Sequence, residues 1–139
     1  MDSRRLRPAL ALSAWTFLVW TTRIRNIWTD DSLSTANQAG RTALALAFTA
    51  FAAAAAHAWL RARRGRPLRS TPAVVRAFAV FTTVVWVVRA VQIALADHSV
   101  GFVAVHLVLA VGSIALAWWA DGATHRVPSE PQVSPLVRR

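Results

Sequence analysis

Apolar residues run in long blocks broken by short polar segments, over residues 8–28, 42–60, 73–96 and 101–120. Each block approaches the about 20 residues a helix needs to cross a bilayer core, and each is too long for an ordinary strand. Alanine and leucine favour helix in the first, second and fourth. The third is rich in valine (Val84, Val85, Val87, Val88, Val91), which in water would suggest a strand. In lipid an unpaired strand leaves its backbone polar groups unsatisfied, so helix is predicted there too. The pattern therefore predicts an all-α membrane protein, a bundle of four transmembrane helices over residues 1–121. A polar, proline-containing tail, expected to be disordered, follows over residues 122–139.

Composition agrees. Hydrophobic residues make up 55% of the 139 residues, mean hydropathy is +0.40, and there are 28 alanines, seven tryptophans and no cysteine. Disorder, a disulfide scaffold and a thiolate zinc site are thereby excluded. All sixteen basic residues are arginine, and the net charge is +10. Nucleic-acid binding would be one reading of that charge, including the linker RARRGRPLR, but the arginines are distributed as a topology signal. Twelve fall on one side, in the amino tail, the linker between the second and third blocks together with Arg76 at the start of the third, and the carboxyl tail. By the positive-inside rule that side is cytoplasmic, with both termini inside. Trp59, Trp118 and Trp119 then fall at the inner interface and Trp28 near the outer one. The first block continues into Trp20 and Arg23 with no convincing cleavage site, so a retained helix is expected rather than a signal peptide.

An internal match appears at a shift of 66 residues. Residues 12–31 read LSAWTFLVWTTRIRNIWTDD and residues 78–97 read FAVFTTVVWVVRAVQIALAD. Thr16/Thr82, Val19/Val85, Trp20/Trp86, Arg23/Arg89, Ile27/Ile93 and Asp31/Asp97 are identical, and Asn26/Gln92 is a close chemical match. Thr16, Trp20, Arg23, Ile27 and Asp31 are spaced 4, 3, 4 and 4, which places them on one stripe of a helix. The expected fold is thus a duplicated helical hairpin, a parallel repeat over residues 8–64 and 73–121, with an outer connection about six residues shorter in the second copy.

The segment FLVWTTRIRNIWTDDSLSTANQAGRTALAL, containing Trp20, Arg23, Asn26, Asp30 and Asp31, resembles a pattern in small uncharacterised four-helix membrane proteins of high-GC Gram-positive bacteria. The resemblance spans residues 10–50. It implies the bacterial inner membrane as location and carries no activity.

Catalytic chemistry finds little support. The six acids lie in tails, loops or at helix ends, which opposes a proton-coupled exchanger. Ser13, Ser32, Ser34 and Ser99 have no histidine and acid at a recognisable spacing. His57 and His106 lie near opposite ends of their helices, about 15 Å apart in depth, too far to ligate one haem. The expectation is a non-catalytic protein without metal or cofactor. Its surroundings are the bilayer and a membrane-protein partner or second copy, and it acts as an accessory or scaffold subunit. The alternative is a binder or carrier of a small molecule, anion or lipid. Its candidate site is the stripe Trp20, Arg23 and Asn26 with Trp86, Arg89 and Gln92, joined by His106 as a neighbour of Arg89 or an interhelical hydrogen-bond partner. An arginine at mid-membrane costs about 2.5–3.5 kcal/mol on insertion scales, so two at matched positions invite a functional reading. The alternatives are that they snorkel outward or that the stripe is simply the bundle-facing surface of two duplicated helices. The many alanines of the second helix, including Ala52 to Ala56, are expected to serve close helix packing.

The topology has a direct test. Reporter domains fused after residues 66 and 125 should be active in the cytoplasm, and after residues 36 and 99 outside it. An exported signal at residue 66 would reverse the orientation.

Overall fold

The computed structural model describes residues 3–30 and 33–125. After a 3-10 turn at Ser3–Leu6 come four long helices: α1 (Arg7–Trp28), α2 (Thr35–Arg63), α3 (Thr71–Ala94) and α4 (Val100–His125). Three of them, α2, α3 and α4, are long and apolar enough to cross a membrane. In α1 the sequence turns polar towards the C-terminus, with Arg23, Arg25 and Asn26.

Local chemistry sets the boundaries. α2 begins seven residues before the apolar block, because the Ser34 hydroxyl accepts from the Asn37 N–H at 3.4 Å and caps the helix. The Ser99 hydroxyl does the same for the Phe102 N–H at 3.3 Å at the start of α4. Pro8 and Pro72 sit in the first turns of α1 and α3, where a missing N–H costs nothing. α2 ends on Gly65, whose φ of +70° suits a residue without Cβ. There the Gly65 N–H donates to the Ala62 carbonyl and the Arg66 N–H to the Arg61 carbonyl, closing the helix. The α1–α2 connection is residues 29–34 and the α3–α4 connection residues 95–99. The second is thus one residue shorter, not six, because α2 begins upstream of its apolar block. α4 runs through Gly122 to His125, so the bundle extends four residues beyond its expected end at 121. Residues 126–139 of the expected tail lie outside the described residues, as does Asp31.

The helices form a ring. α1 packs on α2, α3 on α4, and α1–α4 and α2–α3 contacts close the circle, which leaves α1 and α3 diagonally opposed. The core joins large side chains to small ones. α1 and α3 supply Leu12, Trp20, Phe78 and Trp86, while α2 supplies Ala45, Ala52, Ala55 and Ala58, and α4 Ala110, Ala117, Ala120 and Ala123. The exception is Phe48 of α2, fully buried, which stacks on Trp20 at 4.2 Å and meets Phe81 at 4.8 Å. Phe51 stacks on Phe78 at 5.5 Å. These rings fill the middle of the bundle.

Burial follows a regular shift. Ala9, Leu12, Ser13, Thr16, Trp20 and Ile27 are buried, and so are the residues 66 further on, Val75, Phe78, Ala79, Thr82, Trp86 and Ile93. Ala45, Phe48, Ala52, Ala55 and Ala58 are buried, and so are the residues 65 further on, Ala110, Ser113, Ala117, Ala120 and Ala123. Outward-facing positions are strongly apolar, among them Leu18, Val84, Val88, Val105 and Val108. Such a surface suits lipid rather than water.

The two ends of the bundle differ. At the terminal end, formed by the 3-10 turn, the α2–α3 linker and the end of α4, Leu6 is buried. There Asp121 accepts from Arg76 Nε at 3.1 Å and lies 3.3 Å from His125 Nε2. Its side chain is 6% exposed, so from near the end of α4, the helix end expected for it, this carboxylate ties α3 to α4. The opposite, turn end carries the two hairpin connections and is open.

Because Phe48 is the one large side chain fully buried on α2 or α4 among the described residues, its truncation should be costly. Phe48→Ala should destabilise the bundle by about 3–5 kcal/mol, the range for emptying a buried aromatic site. Leu18→Ala, at a position 63% exposed, should be nearly neutral. Thermal unfolding in mild detergent reads both, and equal midpoints would contradict the packing described.

Candidate functional site

A cleft of about 930 Å³ opens at the turn end, lined by residues of all four helices. Its volume lies within the range of small-molecule sites. Stripe residues Trp20, Arg23 and Asn26 of α1 face it, as do Arg89 and Gln92 of α3 and His106 of α4. Trp86 is placed differently. It is buried and borders a smaller adjoining cavity of about 90 Å³, which shares Arg89 and His106 with the cleft.

Arg23 is the most enclosed of the cleft's arginines. Its guanidinium carbon lies 5.5 Å from the Trp20 ring centre on its own helix and 5.9 Å from that of Trp86 on the diagonal helix. The two tryptophans matched at a shift of 66 thus hold one cation between them. Cation–π contacts contribute from about 0.5 kcal/mol when exposed to 2 or more when desolvated. Arg89, half-buried, reaches Gln92 Oε1 from Nη1 only at the long distance of 3.5 Å, one turn along α3. Its buried Nε has no hydrogen-bond partner among the described residues. A buried donor left without an acceptor costs about 1–3 kcal/mol, so the arrangement favours an added acceptor.

Two further charged residues enter the site. Arg41, near the start of α2, lines the cleft, and so does Asp30 at the end of α1. Arg23, Arg41 and Arg89 come from three different helices and line the same cleft. Three cations therefore face a single carboxylate among the described lining residues. Arg41 is not among the candidate residues singled out from the sequence. The signal that could have found it is the second half of the repeat, since Arg41 and His106 are 65 residues apart, the same shift that relates the buried alanines of α2 and α4.

Among the described residues His106 hydrogen-bonds within its own helix rather than across to another, unlike that expectation. Its Nδ1 donates to the Phe102 carbonyl of its own helix at 2.8 Å, and its ring lies 4.0 Å from the Phe102 ring. A carbonyl can only accept, so Nδ1 carries a proton, and in the tautomer protonated there alone Nε2 is an acceptor. The half of the expectation that survives is proximity, because His106 and Arg89 line the same cleft. His57 is exposed on α2 and takes no part in the cleft.

The deeper walls are apolar and aromatic, with Trp15, Leu44, Val85 and Leu109. Trp15 is fixed by its indole N–H, which donates to the Ser113 hydroxyl at 2.9 Å. Chemically the cleft offers several positively charged donors at its mouth and an apolar floor. That combination suits binding an anion and supplies no evident nucleophile–base pair among the described lining residues. No family model, no curated protein and no solved structure matches the chain.

Proposed function

We propose that this chain is a non-catalytic, four-span membrane protein that binds an anion in the cleft at its turn end. The carrying observation is the convergence of Arg23, Arg41 and Arg89 on one cleft of about 930 Å³. Cations are expensive in an apolar bundle and are kept where they have work to do. α1 serves as the fourth span, its arginines turned towards the cleft and the Trp20–Trp86 pair. The fold is a hairpin duplicated in the same orientation. The recurrent burial at shifts of 66 and 65 residues and the equivalent caps Ser34 and Ser99 support that reading. With the arginine-rich linker and termini in the cytoplasm of a bacterium, the cleft faces the outer leaflet of the inner membrane. The second reading is an accessory or scaffold subunit, alone or as a homo-oligomer. It is favoured by the exposed valines of α4, Val105, Val108 and Val111, which form a smooth face for a neighbouring helix.

Replacing both Arg23 and Arg89 by leucine should leave insertion intact and remove the anion. Hydrogen bonds to charged groups contribute about 1.5–3 kcal/mol, so each arginine lost should weaken anion binding about tenfold or more. Lysine at both positions should restore binding only in part, since it lacks the planar donor fork. Native mass spectrometry of gently extracted protein reads the bound species. An unchanged anion occupancy in the double leucine variant would refute the cleft's role, and a stoichiometric protein partner would favour the subunit reading.

A further inference from the structure

The cleft has an internal correspondence that limits what it can hold. Arg23 and Arg89 are related by the 66-residue shift, and Leu44 and Leu109 by the 65-residue shift. Both members of each pair line the same cavity, so it lies between two similar half-sites. The correspondence breaks at one chemically decisive corner, where Arg41 in the first half is answered by His106 in the second. The site therefore combines three guanidinium forks with one imidazole, the Asp30 carboxylate and the side-chain amides of Asn26 and Gln92. With Nδ1 donating to the Phe102 carbonyl, the imidazole tautomer protonated at Nδ1 alone has Nε2 as an acceptor for the cleft.

Three donor forks beside an acceptor such as His106 do not match a carboxylate, which has two oxygens and no hydrogen to give. They match a singly protonated phosphate monoester, with oxygens for the arginines and a P–OH for His106 Nε2. A phosphate diester has no such hydroxyl on phosphorus. The remainder of the cleft is apolar, and Leu18, Val84 and Val88 on its margin are 63%, 55% and 51% exposed. Those side chains face the surroundings of the bundle, so the cleft is continuous with its apolar exterior.

We propose that the cleft takes the phosphate-monoester headgroup of a membrane lipid, admitted sideways from the leaflet at the turn end, with an acyl chain against Trp15, Leu44 and Leu109. This identifies the ligand class of the anion cleft and rests on that reading. Arg41 and Arg89 grip the phosphate together with Arg23, and His106 distinguishes monoester from diester.

The test uses the full chain in phosphatidylcholine nanodiscs doped with lipids brominated on their acyl chains, which quench nearby tryptophan. Brominated dioleoylphosphatidate should quench the emission that Trp15→Phe removes at a mole fraction at least fivefold lower than brominated dioleoylphosphatidylglycerol. Arg41→Leu should shift the phosphatidate midpoint about tenfold, the loss expected for one charge-assisted hydrogen bond. His106→Phe should abolish the preference for monoester while retaining binding of both anionic lipids. Native mass spectrometry of the unaltered chain with equal amounts of the two unbrominated lipids gives the same comparison without any substitution. Equal binding of the two lipids in both measurements would overturn the monoester assignment. Displacement of phosphatidate by millimolar inorganic phosphate would show a free-phosphate site, ending the lipid proposal but preserving the anion cleft. Binding of neither lipid nor inorganic phosphate would remove this inference. Anion occupancy in the Arg23/Arg89 double leucine variant then decides separately whether the broader reading stands.

Discussion

The packing of large side chains on α1 and α3 against alanines on α2 and α4 determines both where the bundle is solid and where it is open. Small surfaces let helices approach closely, and in a bilayer that approach, rather than release of water, is what holds helices together. On α2 the buried positions begin at Ala45, and on α4 at Ala110. On α1 and α3 they continue to Ile27 and Ile93, close to the turn end. Above Ala45 and Ala110 come Leu44 and Arg41 on one helix, Leu109 and His106 on the other, all bordering the cleft. The cleft opens where the alanines stop, so the same pattern that closes the core places the functional candidates at its edge.

Charge is accommodated there by aromatic faces instead of carboxylates. Arg23 lies over Trp20 and Trp86, and this one cation is shared between diagonally opposed helices that otherwise make little contact. The halves are not identical in detail. Phe48 stacks on Trp20 in the first, while its counterpart Ser113 is too small to stack and instead accepts from Trp15. These differences give a site with unlike corners, which can orient an asymmetric ligand where two equal halves could not.

Much of this was legible in the sequence, for identifiable reasons. Apolar block length predicts the helices, and the 4-3-4-4 spacing places Trp20, Arg23 and Ile27 together on α1, as periodicity requires. Six of the seven candidate residues line the cleft, and the seventh, Trp86, supports Arg23. What the sequence concealed depends on relations between helices. Arg41 is hidden because α2 and α4 match at a shift of 65, one residue off the 66 that relates α1 and α3, and that shift pairs Arg41 with His106 rather than with a like residue. The ion pair of Asp121 is hidden because its partner, Arg76, is 45 residues away in the chain. The bond from His106 to Phe102 is local, yet nothing in composition separates a histidine serving its own helix from one reaching across.

The contrast between the two ends bears on what kind of protein this is. A channel requires a continuous path, but below the cleft Phe48, Phe51, Phe78 and Phe81 bring their rings together across the middle of the bundle. Beyond them the terminal end is drawn shut by the Arg76–Asp121–His125 cluster and by Leu6, which packs into the core from the 3-10 turn. A ligand in the cleft therefore meets a packed floor, and it leaves by the mouth or the side through which it arrived. Passage to the other side would require the aromatic cluster to part and a buried carboxylate to lose its partners, a costly change for a bundle of four helices. In this conformation the architecture favours holding or presenting a ligand at one face of the membrane over conducting it, and that is the sense in which the arginine cleft is read as a binding site.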